Sequence, residues 1–485
     1  MTAHAESWNK TMAASPGPLD LQVSAEDVHG SIPQALRGGR MLSNGPGWTH
    51  IGGHLAHPFD GHGYVRSFRF TPDGGVHLQA AFVQTPSYRA EVEAGGFRHR
   101  GLGTNKPGGM LANLIPGPVR NVANTTIMRR GNRLLAGWEA GSPHALHPDT
   151  LATIGPDTFG GLIDGQATLA HMRRDATLGR LTLCSVKQGR DTTFTFRELD
   201  ATDTLVQEQA AVVPGAVFTH DYSLSPSWYV LGGNPLRFKP LALASALVGA
   251  GTLLHAIAPH ARKPGQLHLV PRAGGPVRTV PLPGPAFVVH FGNAFERNGD
   301  VVIDACAFSE FEFGAEFGYQ GPSAPFDPGL PEARGPQQLL RITIPAGANV
   351  ARWEPLTAHG VDFPRFHPHH EGRETRWLFG ATRADTRFSD PFDSLIALDL
   401  QDGARSEQLW TAPEGVFVGE PVPVPDGDRV GHVLCLLSDG LNGRTTLAVF
   451  EAERVAAGPV AKVDLPLLPI AFHGDWDSGA DGAGG

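Results

Sequence analysis

The sequence predicts an all-β protein, a propeller or a large barrel built from many short strands. Glycine (61) and proline (41) make up about a fifth of the 485 residues, while charged residues reach only 18%. That balance suits short strands joined by tight turns and disfavours a helical bundle. From Arg180 onward, β-type runs recur roughly every 10 to 15 residues almost to the C-terminus, the spacing of propellers and large barrels. Their separators include Asn298-Gly299-Asp300, Asp426-Gly427-Asp428 and Asp439-Gly440, which favour antiparallel hairpins. No identical repeat of fixed period is present, so spacing alone does not separate a propeller from a barrel.

In chain order, the expected strands are 180–186, 192–199, 228–232, 266–271, 286–291, 301–306 and 338–344. They continue at 376–381, 395–400, 416–422, 432–437 and 445–451. One stretch interrupts the pattern. Between Lys239 and Arg262 there is no charged residue, and 241–258 reads LALASALVGAGTLLHAIA. Alanine and leucine favour helix, although Gly249 and Gly251 weaken it. The expectation is a helical apolar insertion at about 240–260, either buried or docked on a bilayer surface through 241–258. A true span needs about 20 apolar residues, which this run barely reaches.

A net charge of −9 over this length is mild and disfavours a nucleic-acid partner. Cys184, Cys306 and Cys435 are far apart and lie in apolar runs, as buried structural thiols do. No CxxC pair points to zinc or redox work. The first 25 residues lack the basic start and apolar core of a signal peptide. These features lead to the expectation of one domain over 1–485, cytoplasmic, and membrane-associated if the apolar stretch docks.

Four histidines stand on or beside apolar strand-like runs: His171, His220, His290 and His473. Neutral imidazole is the commonest protein ligand for a divalent transition metal, and burial keeps it neutral. These four are too far apart for one helix or loop, so they meet only if distant strands converge on one axis. Any single histidine among 22 is more often structural or solvent-facing than a ligand.

Six further segments give the four a context. They are Phe59-Asp60-Gly61-His62-Gly63, Arg120-Asn121-Val122-Ala123-Asn124-Thr125 and Gly137-Trp138-Glu139, followed by Asp362-Phe363-Pro364-Arg365, Gly419-Glu420-Pro421 and Phe472-His473-Gly474-Asp475-Trp476. In that order, interleaved with the four histidines, they resemble the carotenoid cleavage oxygenases almost end to end. Departures are His62 where the family has an acidic residue, Arg120 for lysine and Asp362 for glutamate.

The resemblance implies a seven-bladed β-propeller with a helical and loop cap over one iron(II), Fe(2+), held by His171, His220, His290 and His473. Balancing charge would come from carboxylates that accept the far N–H of three ligands, at Glu139, Asp362 and Glu420. Asp362 is one methylene shorter than the usual residue. Either the backbone shifts inward there or a water bridges the gap. Thr125 matches a position beside the open metal site, where a small β-branched residue limits water access.

By the same resemblance, the activity is cleavage of a conjugated carbon–carbon double bond by O2, giving two carbonyl products. The preferred substrate is a carotenoid or apocarotenoid, with a stilbene as the alternative. Stilbene-cleaving members resemble this chain at Tyr88, but their partner lysine aligns with Arg120, which stays protonated and cannot serve as a base. A non-enzymatic propeller that binds a partner or lipid is the contrasting possibility. His367, His369 and Glu374 come close to a cupin metal motif, but the outer spacings are each one residue off. The expectation there is a histidine-rich loop.

Overall fold

Tight turns set the architecture. Asn298 and Gly299 both take positive φ (54° and 86°) and join Phe287–Arg297 to Asp300–Phe308 as an antiparallel hairpin. Repetition of such hairpins yields seven antiparallel sheets of four to six strands and one small two-stranded pair. This is a computed structural model, and it describes residues 2–479 apart from 115–119, 261–262, 310, 322–323, 333–336, 389 and 402–405. The seven sheets are the blades of a β-propeller ring, and eleven of the twelve expected runs fall on its strands, while the twelfth, 416–422, is split between Val416–Val418 and Val422–Asp426.

The ring is closed by pairing the two ends of the chain. His473–Asp477 pairs with Arg40–Asn44, with Asn44 opposite His473 and Arg40 opposite Asp477. Blade 1 therefore holds strands from both ends of the sequence, including His62–Phe70 and Val76–Phe82. The buried Arg40 guanidinium binds Asp477 at 2.7 Å, and Arg129 of blade 2 reaches the same carboxylate at 3.2 Å.

Apolar side chains from facing sheets fill the wedges between blades. Val230, Leu267, Phe291 and Ile303 pack between blades 4 and 5, and Trp377, Phe379, Val433 and Phe450 between blades 6 and 7. Non-directional burial of this kind holds each blade against its neighbour and leaves the innermost strands to face the axis. Cys184, Cys306 and Cys435 are free thiols within these cores.

Helices are few and lie above the ring. Ala3–Ala13 packs on blade 7, where Ser7 Oγ donates to Gly415 O at 2.6 Å and accepts from Gly440 N at 3.0 Å. The apolar stretch forms two short helices, Pro240–Leu247 and Leu253–Ala256, then the strand Ile257–Pro259. Gly249, at φ 75°, ends the first helix, and a Cβ there would meet the Asn113 backbone at 2.5 Å. Glycine alone fits that close approach. Among the described residues no helix is long and apolar enough to cross a membrane.

Candidate active site: a four-histidine centre beside an aromatic cavity

The innermost strands are broken where they pass the axis, and the breaks carry the polar residues. In blade 3, Ala167–Thr168 and Arg173–Asp175 pair with the same strand, leaving His171 in the gap. Blade 4 repeats this with Val217–Phe218 and Tyr222–Leu224 around His220. Blade 7 does so with Val416–Val418 and Val422–Asp426 around Glu420. In blades 5 and 6 the register shifts instead, between Val288 and His290 and between Asp362 and Arg365. In blades 3, 4 and 7 the chain leaves its sheet for a few residues, and in blades 5 and 6 an irregular register re-aims the side chain within it.

Four imidazoles meet as a result. One ring nitrogen from each of His171, His220, His290 and His473 lies within 4.8 Å of the others. The Nε2 atoms of His171 and His220 are 3.2 Å apart, and the buried His290 Nε2 has no hydrogen-bond partner.

Three of the opposite nitrogens are committed to carboxylates. His220 Nδ1 lies 2.8 Å from Glu139, His290 Nδ1 2.6 Å from Asp362 and His473 Nδ1 2.9 Å from Glu420. A proton held on Nδ1 by its carboxylate leaves Nε2 of these three rings free to ligate a metal. Asp362 bonds His290 directly. The backbone makes up for the missing methylene, since the bulge carries Phe363 at φ 52°. Phe363 then packs its ring 5.4 Å from His290 and 5.5 Å from His473.

Electrostatics keep the rings ready to bind a metal. Burial, and then the imidazoles of His473, His220 and His290, hold the His171 pKa well below its ordinary value. Burial also depresses His473, more than Glu420 raises it. His290 goes the other way: burial opposes its charge, but Asp362 outweighs burial and raises it. Burial and mutual repulsion thus favour the neutral, ligating form of the His171 and His473 rings.

A cavity of about 1540 Å³, part of it open to solvent, lies against this centre. His220, His290 and His473 line it, and so do Thr125, Glu139 and Asp362. The rest of its wall is mostly apolar and includes ten phenylalanines and two tryptophans. Phe311 meets Phe313 edge-on at 4.9 Å, Phe218 meets Phe313 at 5.2 Å, and Phe59 contacts Phe472 at 6.2 Å.

Comparison with known proteins agrees with this arrangement. Residues 16–478 match the family described as retinal pigment epithelial membrane protein (RPE65). The chain is 34% identical to apocarotenoid-15,15'-oxygenase of Synechocystis sp., over 97% of this chain and 96% of that protein. This chain belongs to the RPE65 family, the carotenoid cleavage oxygenases. It is also 32% identical to carotenoid cleavage dioxygenase 7, chloroplastic, of Oryza sativa subsp. japonica, covering 93% of this chain and 87% of the relative. Cobalt-substituted Synechocystis ACO superposes with a TM-score of 0.87 at 32% identity, over 97% of this chain and 98% of that one. Carotenoid cleavage oxygenases incorporate O2, so the chain is an oxidoreductase with a four-histidine metal site and not a bare binding propeller.

Tyr88 and Arg120 do not line the cavity. Tyr88, on helix Pro86–Ala94, stacks on Phe82 at 5.1 Å and meets Trp48 and His62 edge-on. Arg120 is 2.9 Å from Glu91 and 3.0 Å from His62, all three buried. The local motif is present, but the helix turns its tyrosine into the blade 1 core and the guanidinium is used as a counter-ion. Thr125 does reach the cavity, where its hydroxyl donates to Asn124 Oδ1 at 3.1 Å.

The histidine-rich loop gathers no metal site. His367 Nδ1 accepts the His369 N–H at 3.2 Å and its Nε2 lies 3.1 Å from Gly427 O, while Glu374 pairs with Arg297. Among the described residues the only metal-capable cluster is the four-histidine one.

Sequence reasoning missed Asp221. It accepts the backbone N–H of Tyr222 and of Phe291, pairs with Arg173, and lies 3.7 Å from His171 Nδ1, the one ligand without a closer carboxylate. Its position directly after His220 was the available signal.

These carboxylates lead to an expected result. Glu139→Gln and Glu420→Gln should each weaken metal affinity by about 10- to 100-fold, measured by competition with a chelator. Asp362→Asn should cost as much, because its bond is direct and short. Unchanged affinity in all three variants would show that the carboxylates do not support the metal.

Proposed function

We propose that this chain holds one iron(II) on His171, His220, His290 and His473 and cleaves a conjugated carbon–carbon double bond of an apocarotenoid or carotenoid with O2. The double bond breaks and each of its carbons gains one oxygen atom, so one alkene and one O2 give two carbonyl products. No external reductant enters the balance. The observation that carries this reading is the opening of three histidine ligands directly onto a cavity walled by phenylalanine. The names of the relatives support the substrate class.

Bound iron supplies the redox chemistry that activates dioxygen, which no side chain here provides. The protein contributes position and dryness. Phenylalanines on two sides hold a flat polyene across the centre, Thr125 and Phe363 crowd the metal position against water, and Glu139, Asp362 and Glu420 hold the Nδ1 protons. A stilbene is the second reading. The tyrosine that would recognise a phenol lies outside this cavity, so the polyene is preferred. Incubation with apocarotenoids and with hydroxystilbenes, followed by mass analysis of the aldehydes, tests the choice. Cleavage of hydroxystilbenes alone would overturn it.

Delivery of so apolar a substrate favours contact with a membrane or micelle. Leu241 and Leu247 are 89% and 68% exposed, and Leu111 on the adjoining short helix is 80% exposed. Arg100 knits these segments together through Asn113 O, Ala246 O and Gly251 O at 3.0 to 3.1 Å. Leu254, expected on the same exposed patch, instead lines the cavity. Apolar area gains roughly 25 cal/mol per Å² on burial, enough for reversible docking. Replacing Leu241 and Leu247 by Asp should reduce liposome binding and slow turnover of liposome-delivered apocarotenoid. Undiminished liposome binding would rule out docking through this face.

A further inference from the structure

Beyond His220, His290 and His473, the cavity is lined by residues from different parts of the ring. Toward blades 4 and 5 it reaches Leu102 and Leu254, which are joined by a backbone hydrogen bond of 3.1 Å and lie beside the exposed leucines. Its blade 7 arm is lined by Val418, Leu436, Ser438 and the indole of Trp8. Trp8 belongs to helix Ala3–Ala13, whose other face is in solvent. Ser7, Trp8, Thr11 and Met12 are buried, while the Glu6 and Lys10 side chains are half exposed. The indole therefore stands between this arm of the cavity and the outside.

The helix is fastened too firmly to be a loose flap. The Trp8 indole N–H donates to Phe317 O at 2.8 Å, and its ring meets Phe417 edge-on at 4.7 Å. Asn9 donates to Phe326 O and accepts Phe326 N–H, both at 2.8 Å, and Thr49 Oγ1 donates to Met12 O at 2.9 Å. At Gly440 a Cβ would come within 2.1 Å of Ser7 O, so only glycine lets the helix sit this close to blade 7. Phe317, which accepts the indole N–H, is also part of the cavity wall and packs 5.7 Å from Phe472, the neighbour of His473.

We propose that Trp8 is the end wall of the blade 7 arm and sets how long a chain the substrate extends beyond the metal centre. This inference rests on the polyene reading above and adds its selectivity. A conjugated chain is rigid and cannot fold back, so a fixed wall on one side of the centre decides which double bond lies over it. Ser438, the cross-strand partner of Phe417 and a lining residue of the same arm, offers a way to shorten that space.

The test uses full-length protein and a series of linear polyene aldehydes of graded length, with products read by mass. Trp8→Ala should raise kcat/KM for long over short members by about tenfold or more, or move cleavage by one double bond. Trp8→Phe should retain the wild-type length profile, and Ser438→Trp should shift it toward shorter chains. Fluorescence titration of metal-free protein with the same aldehydes should show the same changes in the length dependence of Kd. If Trp8→Ala does not fold, Ser438→Trp decides. If the wild type cleaves these polyenes but both folded variants keep its length profile, the end wall is elsewhere and the inference fails. If the wild type cleaves none, the polyene reading fails, and the metal-free binding profiles of the variants still decide whether Trp8 limits length.

Discussion

Replacing any one of His171, His220, His290 or His473 by Ala is expected to remove most bound metal and nearly all turnover. Each supplies one of four convergent nitrogens, and no other side chain among the described residues joins the cluster. His171→Ala is the cleanest variant, because no carboxylate lies within hydrogen-bond distance of its ring, Asp221 being 3.7 Å away. His290→Ala has a second effect, since it leaves the buried Asp362 without its nearest partner. A metal that binds only the folded state stabilises it by about 4 kcal/mol at a thousandfold excess over Kd. That stabilisation should appear as a melting-temperature gain on metal addition to the wild type and vanish in these variants. Elemental analysis gives the direct readout. His367→Ala and His369→Ala should keep their metal, and full occupancy in two or more of the four ligand variants would overturn the site.

The same interruptions that build this centre decided what was legible beforehand. Long inner and middle strands, such as Phe287–Arg297 and Asp300–Phe308, announce themselves as apolar runs bounded by turn residues. The strands flanking His171 and His220 are only two or three residues long, because the chain leaves its sheet to aim a ring at the axis. No periodicity survives at that length. Blade 1 was hidden for a different reason: His473–Asp477 pairs with Arg40–Asn44, a register that no local window contains. The four histidines became legible through the family segments around them, and Glu139, Asp362 and Glu420 with them. Trp8, Phe317 and Asp221 had no such frame. The first two belong to the cap, where lining a cavity depends on the path of a helix or loop, and Asp221 acts through a tertiary contact.

Arg120 shows the reverse case, a motif position whose neighbours change its use, and it leads to a large expected effect on stability. Glu91 is the centre of that neighbourhood. Its Oε2 takes Arg120 at 2.9 Å and His62 at 2.8 Å, and its Oε1 accepts the Arg98 and His99 N–H groups at 3.1 and 3.2 Å. Glu91 and His62 are 0% exposed and Arg120 2%. Burial, and then the Arg120 charge, push the His62 pKa down to about 4, so the ring is neutral; Glu91 is the carboxylate in direct contact with the guanidinium, and Asp60 attracts it from further away. Removing Glu91 leaves a buried cation without its direct counter-ion, which costs about 3–5 kcal/mol. Glu91→Ala should therefore unfold at much lower denaturant than the wild type, and Glu91→Gln, which keeps the shape without the charge, should lose most of the same stability. The pH dependence has a definite sign. Burial alone would raise the Glu91 pKa, but His62, Arg120 and the Arg98 N–H outweigh it and hold the carboxyl below its ordinary value. Its contribution is thus present above the unfolded carboxylate pKa and fades as pH falls through the folded one. The gap between wild type and Glu91→Gln should be widest near neutrality and close in acid. A gap that does not change with pH would show that Glu91 acts by packing alone. Wild-type stability in Glu91→Gln with an altered cleavage profile would return Arg120 to the substrate.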